Sequence, residues 1–361
     1  MKQNSGNVYA LIRPKDNVTP RYRLLQTLRF YFGNDYVAKV SDRINVISGD
    51  ITSGISLGIN SKDLHDVIKN VSCIINSGAI VKHFGQKKLF EDINVVGTKN
   101  TIDFCKKYGK RLMHISTISV SGNGEKEETV LETSSNINNK KLFTENDLYI
   151  GQNIKSVYTT TKFKAEIAVL EAIADGLDAQ ILRLGNITNR YSDGAFQMNA
   201  SDNAFAKRLK SYIEIGAFPR YTLYHELELT PVDLAATAII KILNHKSDCN
   251  MFHIRNPKLL AISLLLSTVT SMGIDILPVS DQMMTDIITG ILDDDNRKEI
   301  VSGIIHDLSN DKKLIYTSNI RLSTDFTETY LKNIGFHWKK IDKNYIIKYM
   351  NYFKKIGFIN F

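Results

Sequence analysis

The chain has 361 residues, 43% of them hydrophobic and 23% charged, with a formal net charge of +8. That length suits one large α/β domain with a smaller second lobe, and the composition is that of a globular protein rather than a disordered or fibrous one. No basic run is interleaved with aromatics, so no nucleic-acid partner is expected; the charge-free stretch 259–274 is too short and too rich in Ser and Thr to be a membrane span; and Cys73, Cys105 and Cys249, far apart and without a CxxC pair, suit a reducing, cytoplasmic setting.

Strand and helix signals alternate over the first two-thirds. NVYALI (7–12) is a short apolar run with β-branched and aromatic residues, hence a strand. Thr19-Pro20 opens a helix to Gly33, since Thr caps well and Pro suits the first helical position. INVISGD (44–50) and VSCIINSGA (71–79) are the next strands. A helix over 89–108 stops at Gly109, and RLMHISTISVSG (111–122) is a fourth strand. The polar segment 122–146 has no period and reads as an exposed loop. A helix over 159–176 and a strand over 178–186 follow, then helices at 197–214 and 231–245, a strand at 251–256, and a mostly helical remainder. This alternation implies an α/β fold with a parallel sheet and helices on both faces.

In such sheets ligands bind at the carboxyl ends of the strands. Polar groups gather there: Arg13, Asp50, Asn76-Ser77-Gly78-Ala79, Ser116-Thr117 and Gly185-Asn186. Strand-to-helix turns are Gly, Asn and Ser rich in any case, so the clustering alone admits a purely structural reading. Of sixteen tyrosines, only Tyr158 is followed four residues later by a lysine, Lys162. This spacing puts both on one helix face, as it would any exposed pair. A hydroxyl at a strand end upstream, Thr117, gives the pair a chemical purpose. A nearby ammonium is expected to lower the tyrosine pKa, so that the phenol exchanges a proton with a substrate oxygen near neutral pH. Thr117 would hold the same oxygen in line for hydride transfer. Arg13 and Lys15 after the first strand suit the 2′-phosphate of NADP, or are simply solvated cations. Asp50, with Ile51, would lie near the adenine, or merely cap a turn. The eight histidines show no metal-ligand spacing, so no metal is expected.

Taken together, VYALIRPKDN, INVISGDIT, IINSGAIVKHFG with INVVGTKN, HISTISVSG, ENDLYIGQNIKSVYTTTKFKAE, RLGNITNRYSDGAF, LTPVDLAATAI and STDFTETYLKNIGFHWKKID resemble the extended short-chain dehydrogenase/reductase superfamily. More closely, they resemble the terminal thioester reductase domains of non-ribosomal peptide synthetases, relatives of carboxylic acid reductases. The resemblance implies NADPH-dependent reduction of an acyl or peptidyl thioester, carried on the phosphopantetheine arm of a carrier protein, to an aldehyde and, with a second round, an alcohol. It implies that Thr117 and Tyr158 hold the reacting oxygen, that Lys162 binds the nicotinamide ribose, and that Asn76 to Ala79, Ser116, Gly185 and Asn186 line the cofactor. It further implies a Rossmann-like NADP-binding domain over 1–190 with 223–256, and a mostly helical substrate and carrier-binding lobe over 191–222 and 257–361. Fatty acyl reductases and sugar-nucleotide enzymes of the same superfamily are the alternative, as is a docking module without turnover.

Two departures stand out. The family's Arg-Pro-Gly-Asn turn reads Arg183-Leu184-Gly185-Asn186, which suggests a looser loop. The family's first strand and Gly-x-x-Gly-x-x-Gly turn, which seat the pyrophosphate, have no counterpart. That strand is central in the usual order, so the sheet is expected to be split. Either the chain is a piece of a longer protein or it is a short form that has lost cofactor binding. The retained Thr117, Tyr158 and Lys162 favour the former, and this chain is then expected to bind NADPH and to fold poorly by itself.

Overall fold

The structure, a computed structural model, describes residues 6–15, 17–81, 85–122, 141–304 and 320–361. In chain order its first elements are β1 (Val8–Ile12), α1 (Pro20–Val40), β2 (Ile44–Ser48), α2 (Ser61–Asn70), β3 (Cys73–Asn76), α3 (Lys87–Phe90), α4 (Gly97–Tyr108), β4 (Arg111–Thr117), β5 (Lys141–Phe143), α5 (Val157–Ala174) and β6 (Ala179–Leu184). There follow β7 (Ile187–Thr188), α6 (Ala204–Ile215), β8 (Ala217–Pro219), β9 (Glu226–Leu227), β10 (Thr230–Pro231), α7 (Val232–Leu243) and β11 (Met251–Ile254). The last are β12 (Leu260–Ala261), α8 (Ile262–Ser271), β13 (Leu277–Val279), α9 (Asp281–Leu292), β14 (Ile320–Leu322), α10 (Asp325–Asn333) and α11 (Lys343–Lys355).

The expected helix starts and stops are visible as chemistry. Thr19 caps α1 by accepting from the Tyr22 N–H at 3.3 Å, with Pro20 in the first turn. The helix does not end at Gly33: φ there is +78°, which glycine adopts without strain, and the chain resumes its helix to Val40. A π-helical turn, Glu91–Val96, joins α3 to α4, and Gly109 ends α4 in the left-handed region at φ +62°. Strand β4 stops at Thr117, earlier than expected, because Ile118–Ser121 close into a 3₁₀ turn capped by the Thr117 side chain. Of the polar segment expected as a loop, 123–140 lies outside the described residues. Residues 141–143 form β5, which pairs with β14, a contact from a distant part of the chain that no local pattern announces.

The chain divides into two compact units, residues 1–184, 239–254 and 320–330, and residues 185–238, 255–319 and 331–361. These boundaries return 320–330 to the first unit and assign 185–190, 223–238 and 255–256 to the second, unlike the division expected from sequence. The first unit holds a parallel sheet in the order β11–β6–β4–β3, with helices, and is α/β and Rossmann-like as expected. The sheet is indeed in two pieces: β1 pairs in parallel with β2, and no ladder among the described residues joins β1 to β3. Helices α4 and α5 cover the four-stranded piece through Ile102, Cys105, Val169 and Ala172, which pack on Leu112 and Ile181. Burial of each large side chain there contributes roughly 1.5–3 kcal/mol. The second unit is built around α6, α8 and α11, with Leu209, Leu265, Val269, Tyr345, Tyr349 and Phe353 in one cluster. Met284, Ile288 and Ile291 of α9 sit in another. Among the described residues no helix is long and apolar enough to cross a membrane.

Candidate active site

Three residues from two elements meet at the carboxyl end of β4. Ser156 caps α5 by accepting from the Thr159 N–H at 3.0 Å, which fixes where the helix begins. From that start Tyr158, Lys162 and Glu166 follow at one-turn steps along one face. Thr117 is the last residue of β4, 8% exposed; its hydroxyl accepts from the Ser119 N–H at 3.2 Å, and it lies near enough to Tyr158 to act on the phenol's pKa. Lys162 is 2% exposed, and its ammonium donates to the Ile115 carbonyl at 2.6 Å and lies 3.2 Å from Nε2 of His114.

The electrostatics differ from the sequence expectation in one respect. Burial pushes the Tyr158 phenol up, and the hydrogen bond from Thr117 offsets only part of that. The expected lowering by Lys162 is not seen: taking a phenolate out of water dominates, and the ammonium is spent on Ile115 and His114. Tyr158 is therefore a phenol that keeps its proton at neutral pH and can donate it. Burial also brings the Lys162 ammonium down to about 8, with the Glu166 carboxylate acting in the opposite direction. His114 is held well below its ordinary value by burial and then by the Lys162 charge, so it is neutral.

Beneath this group lies a buried polar chain. Glu166 and Arg183 are both fully buried and form an ion pair at 2.8 Å, with a second contact from Arg183 Nε at 3.1 Å. Ser116 donates to the same carboxylate at 2.5 Å. Arg183 reaches Nε2 of His253 at 3.2 Å, and Nδ1 of that ring lies 2.7 Å from the Ser323 carbonyl, which makes Nδ1 the protonated nitrogen. Phe143 stacks on His253 and receives the Arg183 guanidinium over its face at 4.9 Å. With Arg183 already paired to Glu166, the Lys162 charge has no full counter-charge among the described residues. Negative charge developing on Tyr158 or on a bound oxygen would supply one.

The remaining expected residues are placed less uniformly. Asn76 is buried at the end of β3, where it accepts from the Gly78 N–H at 3.2 Å, while Ser77 and Gly78 are exposed and Ala79 is half-buried. Ile51 packs its side chain on Gly78 and Gly97, where a Cβ would lie 2.8 Å and 2.7 Å from Ile51 Cδ1. Asp50 turns inward on its own loop, accepting from the Thr52 N–H and hydroxyl, both at 2.8 Å. Arg13 and Lys15 are exposed after β1, and Lys15 takes part in a local bridge to Val18. The Ser116 hydroxyl is committed to Glu166 rather than to a ligand. Gly185 and Asn186 belong to the second unit. There a Cβ on Gly185 would lie 2.6 Å from a Glu228 carboxylate oxygen, so glycine is required. The loop expected to be loose without its proline is held by Glu228, which accepts from the Asn186 N–H at 2.6 Å and from the Thr230 hydroxyl.

The first unit fits the nicotinamide-ribose end of a dinucleotide. Of the three N–H donors of Lys162, two are used by Ile115 and His114, and one is left for a ligand hydroxyl. The sequence has no Gly-rich strand-to-helix turn for a pyrophosphate.

Sequence reasoning missed His114, Glu166, His253, Glu228 and Asn94. Glu166 was readable as the next step of the Tyr158–Lys162 spacing. Buried Asn94 donates to Thr161 of α5 at 3.0 Å and accepts from the Ile80 N–H at 2.8 Å, tying the turn after β3 to α5. No sequence signal marks that bridge. Among the described residues no group of three or more His, Cys, Asp or Glu is placed to hold a metal ion.

Comparison with known proteins bears on this geometry. The NAD-binding family described as male sterility protein matches residues 1–239. The chain is 23% identical over 369 aligned positions to a linear gramicidin synthase of Brevibacillus parabrevis, spanning 99% of this chain and 7% of that protein. It is 26% identical over 223 positions to glycine betaine reductase ATRR of Emericella nidulans, covering 60% of this chain and 16% of that protein. The chain thus spans a small part of the length of these curated relatives. Among solved structures, a thiolation-reductase di-domain from an archaeal non-ribosomal peptide synthetase is similar at a TM-score of 0.84 and 28% identity, covering 99% of this chain and 71% of that one. The reductase domain of the aureusimine biosynthetic cluster is similar at a TM-score of 0.78 and 25% identity, covering 99% and 85%.

Proposed function

As the chain belongs to the NAD-binding male sterility protein family, we propose that it is the chemistry-bearing part of an NADPH-dependent thioester reductase. Its substrate would be an acyl or peptidyl group on the phosphopantetheine arm of a carrier protein, released as an aldehyde. The observation that carries this reading is the meeting of Thr117, Tyr158 and buried Lys162 at one strand end. Its similarity to a thiolation-reductase di-domain supports the carrier. The net charge of +8 suits a typically acidic partner.

When bound, the nicotinamide cofactor supplies a hydride to the thioester carbonyl carbon. Thr117 donates a hydrogen bond to the carbonyl oxygen and orients it. Tyr158, whose phenol is kept protonated by burial, gives that oxygen its proton as negative charge develops there. Lys162 stabilises the phenolate so formed and holds the ribose hydroxyls with its remaining donor. The tetrahedral hemithioacetal then returns its hydroxyl proton to Tyr158, its carbon–sulfur bond breaks, and the departing thiolate takes a proton from solvent. The second unit takes the acyl arm and the carrier. Arg13 and Lys15 would take the 2′-phosphate, and Asn76 to Ala79 would line the cofactor. The setting is the cytoplasm, where the free thiols of Cys73, Cys105 and Cys249 persist.

The test is NADPH oxidation with acyl-carrier, acyl-CoA and nucleotide-sugar substrates side by side, with trapping of the aldehyde. Turnover on the carrier-bound thioester is expected from the chain fused behind a strand and a Gly-rich turn; turnover on a nucleotide sugar alone would overturn the reading. A docking module without turnover is the alternative reading. Carrier binding with no NADPH oxidation, by the chain fused behind a strand and a Gly-rich turn, would establish that alternative.

A further inference from the structure

His114 sits on β4, two residues before Ser116, so the two side chains share a face. They meet Lys162 and Glu166, which are one turn apart on α5. His114 is 1% exposed, and its Nδ1 has no hydrogen-bond partner. A histidine that merely fills a core satisfies both nitrogens, as His253 does with Arg183 and Ser323. The side-chain contact His114 makes is with Lys162, and an apolar residue would fill the same space without leaving a buried polar atom unmet.

We propose that His114 is a positioning residue for Lys162. Its Nε2 and the Ile115 carbonyl clamp the ammonium from the β4 side and leave one N–H for the ligand. Because an acceptor on the ammonium favours the charged form, the clamp also keeps Lys162 protonated at the pH where the site works. The other groups around Lys162 do not replace it. Tyr158 lies one turn before on α5 and is a neutral phenol, Thr117 of β4 lies beside Tyr158, and Glu166, one turn after, raises the ammonium through its charge while its oxygens are bonded to Arg183 and Ser116. The positional part stands on geometry alone; the ligand part rests on the nicotinamide reading given above.

Two substitutions separate these roles. His114→Met removes the acceptor at similar volume, and His114→Gln keeps an acceptor near the Nε2 position. The first measurement is the melting midpoint of the cofactor-free chain across the alkaline range. Wild type gains stability as pH rises from about 8 (Lys162 folded) toward the ordinary lysine range. In His114→Met that gain begins about one pH unit lower, and in His114→Gln it returns toward wild type. The second measurement is NADPH titration with steady-state kinetics. His114→Met weakens NADPH binding roughly 10-fold with a smaller change in kcat, and His114→Gln recovers most of the loss. Should His114→Met not fold, His114→Asn, too short to reach the ammonium, takes its place. A wild-type alkaline profile in the acceptor-free variant, or no recovery in His114→Gln, overturns the proposal. Absence of NADPH turnover in wild type would count against the thioester reductase reading instead, and the melting profiles would still decide the clamp.

Discussion

The two pieces of the parallel sheet treat their polar residues in opposite ways. In the four-stranded piece, Ser116, Arg183 and His253 are buried and bonded to one another or to Glu166 across β4, β6, β11 and α5. In the two-stranded piece, β1 contains no fully buried residue, and Arg13 and Lys15 after it are exposed. The first arrangement fixes side chains before any ligand arrives. The second leaves two solvated cations whose position a ligand would have to set. Substitutions should therefore act through chemistry and stability in the four-stranded piece, and through ligand affinity alone at the two-stranded one.

The largest effect is expected at Tyr158. Tyr158→Phe removes the proton donor and should lower kcat by roughly 10²–10⁴-fold. Melting should change little, since Tyr158→Phe keeps the ring and its packing and removes one hydroxyl. A comparable loss of stability would mean that the hydroxyl is structural. Next comes the buried pair. Glu166→Ala leaves Arg183 charged and unpaired in a fully buried site and should cost about 3–5 kcal/mol of stability. The double replacement Glu166→Met with Arg183→Met should cost much less, because both desolvation penalties vanish together. If the double variant is as unstable as the single one, Phe143 and His253 packing rather than charge dominates.

A smaller and pH-dependent effect is expected at Lys162. Its folded-state value of about 8 lies below the ordinary 10.5. Below pH 8 both states carry the proton and the folded state bears the burial penalty. Between these values the unfolded chain binds more protons, so stability rises with pH. Lys162→Met should melt higher than wild type at neutral pH, and the gap should close as pH approaches 10.5. A gap that does not vary with pH would show that Lys162 is not strained by burial.

Most of the four-stranded piece was legible in the sequence. Its strands are mostly apolar runs, α4 stops at Gly109, and Tyr158-x-x-x-Lys162 is a local pattern. What was not legible depends on contacts between distant segments. The pairing of β5 with β14, the Asn94 bridge to α5 and the His114 contact with Lys162 each join residues far apart in sequence. The direction of the Tyr158 shift was misjudged for the same reason, since spacing reveals the neighbouring ammonium but not how deeply the phenol is buried.

The smallest effect is expected at Arg13 and Lys15, where the comparison between the two pieces can be broken. Both side chains are exposed, and the Arg13 carbonyl, not its guanidinium, is what Arg23 bonds at 2.8 Å. Substituting them should therefore leave melting unchanged within about 0.5 kcal/mol. If they receive the 2′-phosphate, Arg13→Ala with Lys15→Ala should weaken NADPH relative to NADH by roughly 10-fold, the scale of one or two hydrogen bonds to charged groups. The difference should shrink as salt is raised, because solvated charges are screened over about 8 Å at physiological ionic strength. An unchanged ratio of the two cofactors would leave Arg13 and Lys15 as surface cations and move cofactor selection elsewhere. A large loss of stability would mean that the two-stranded piece is built as firmly as the four-stranded one.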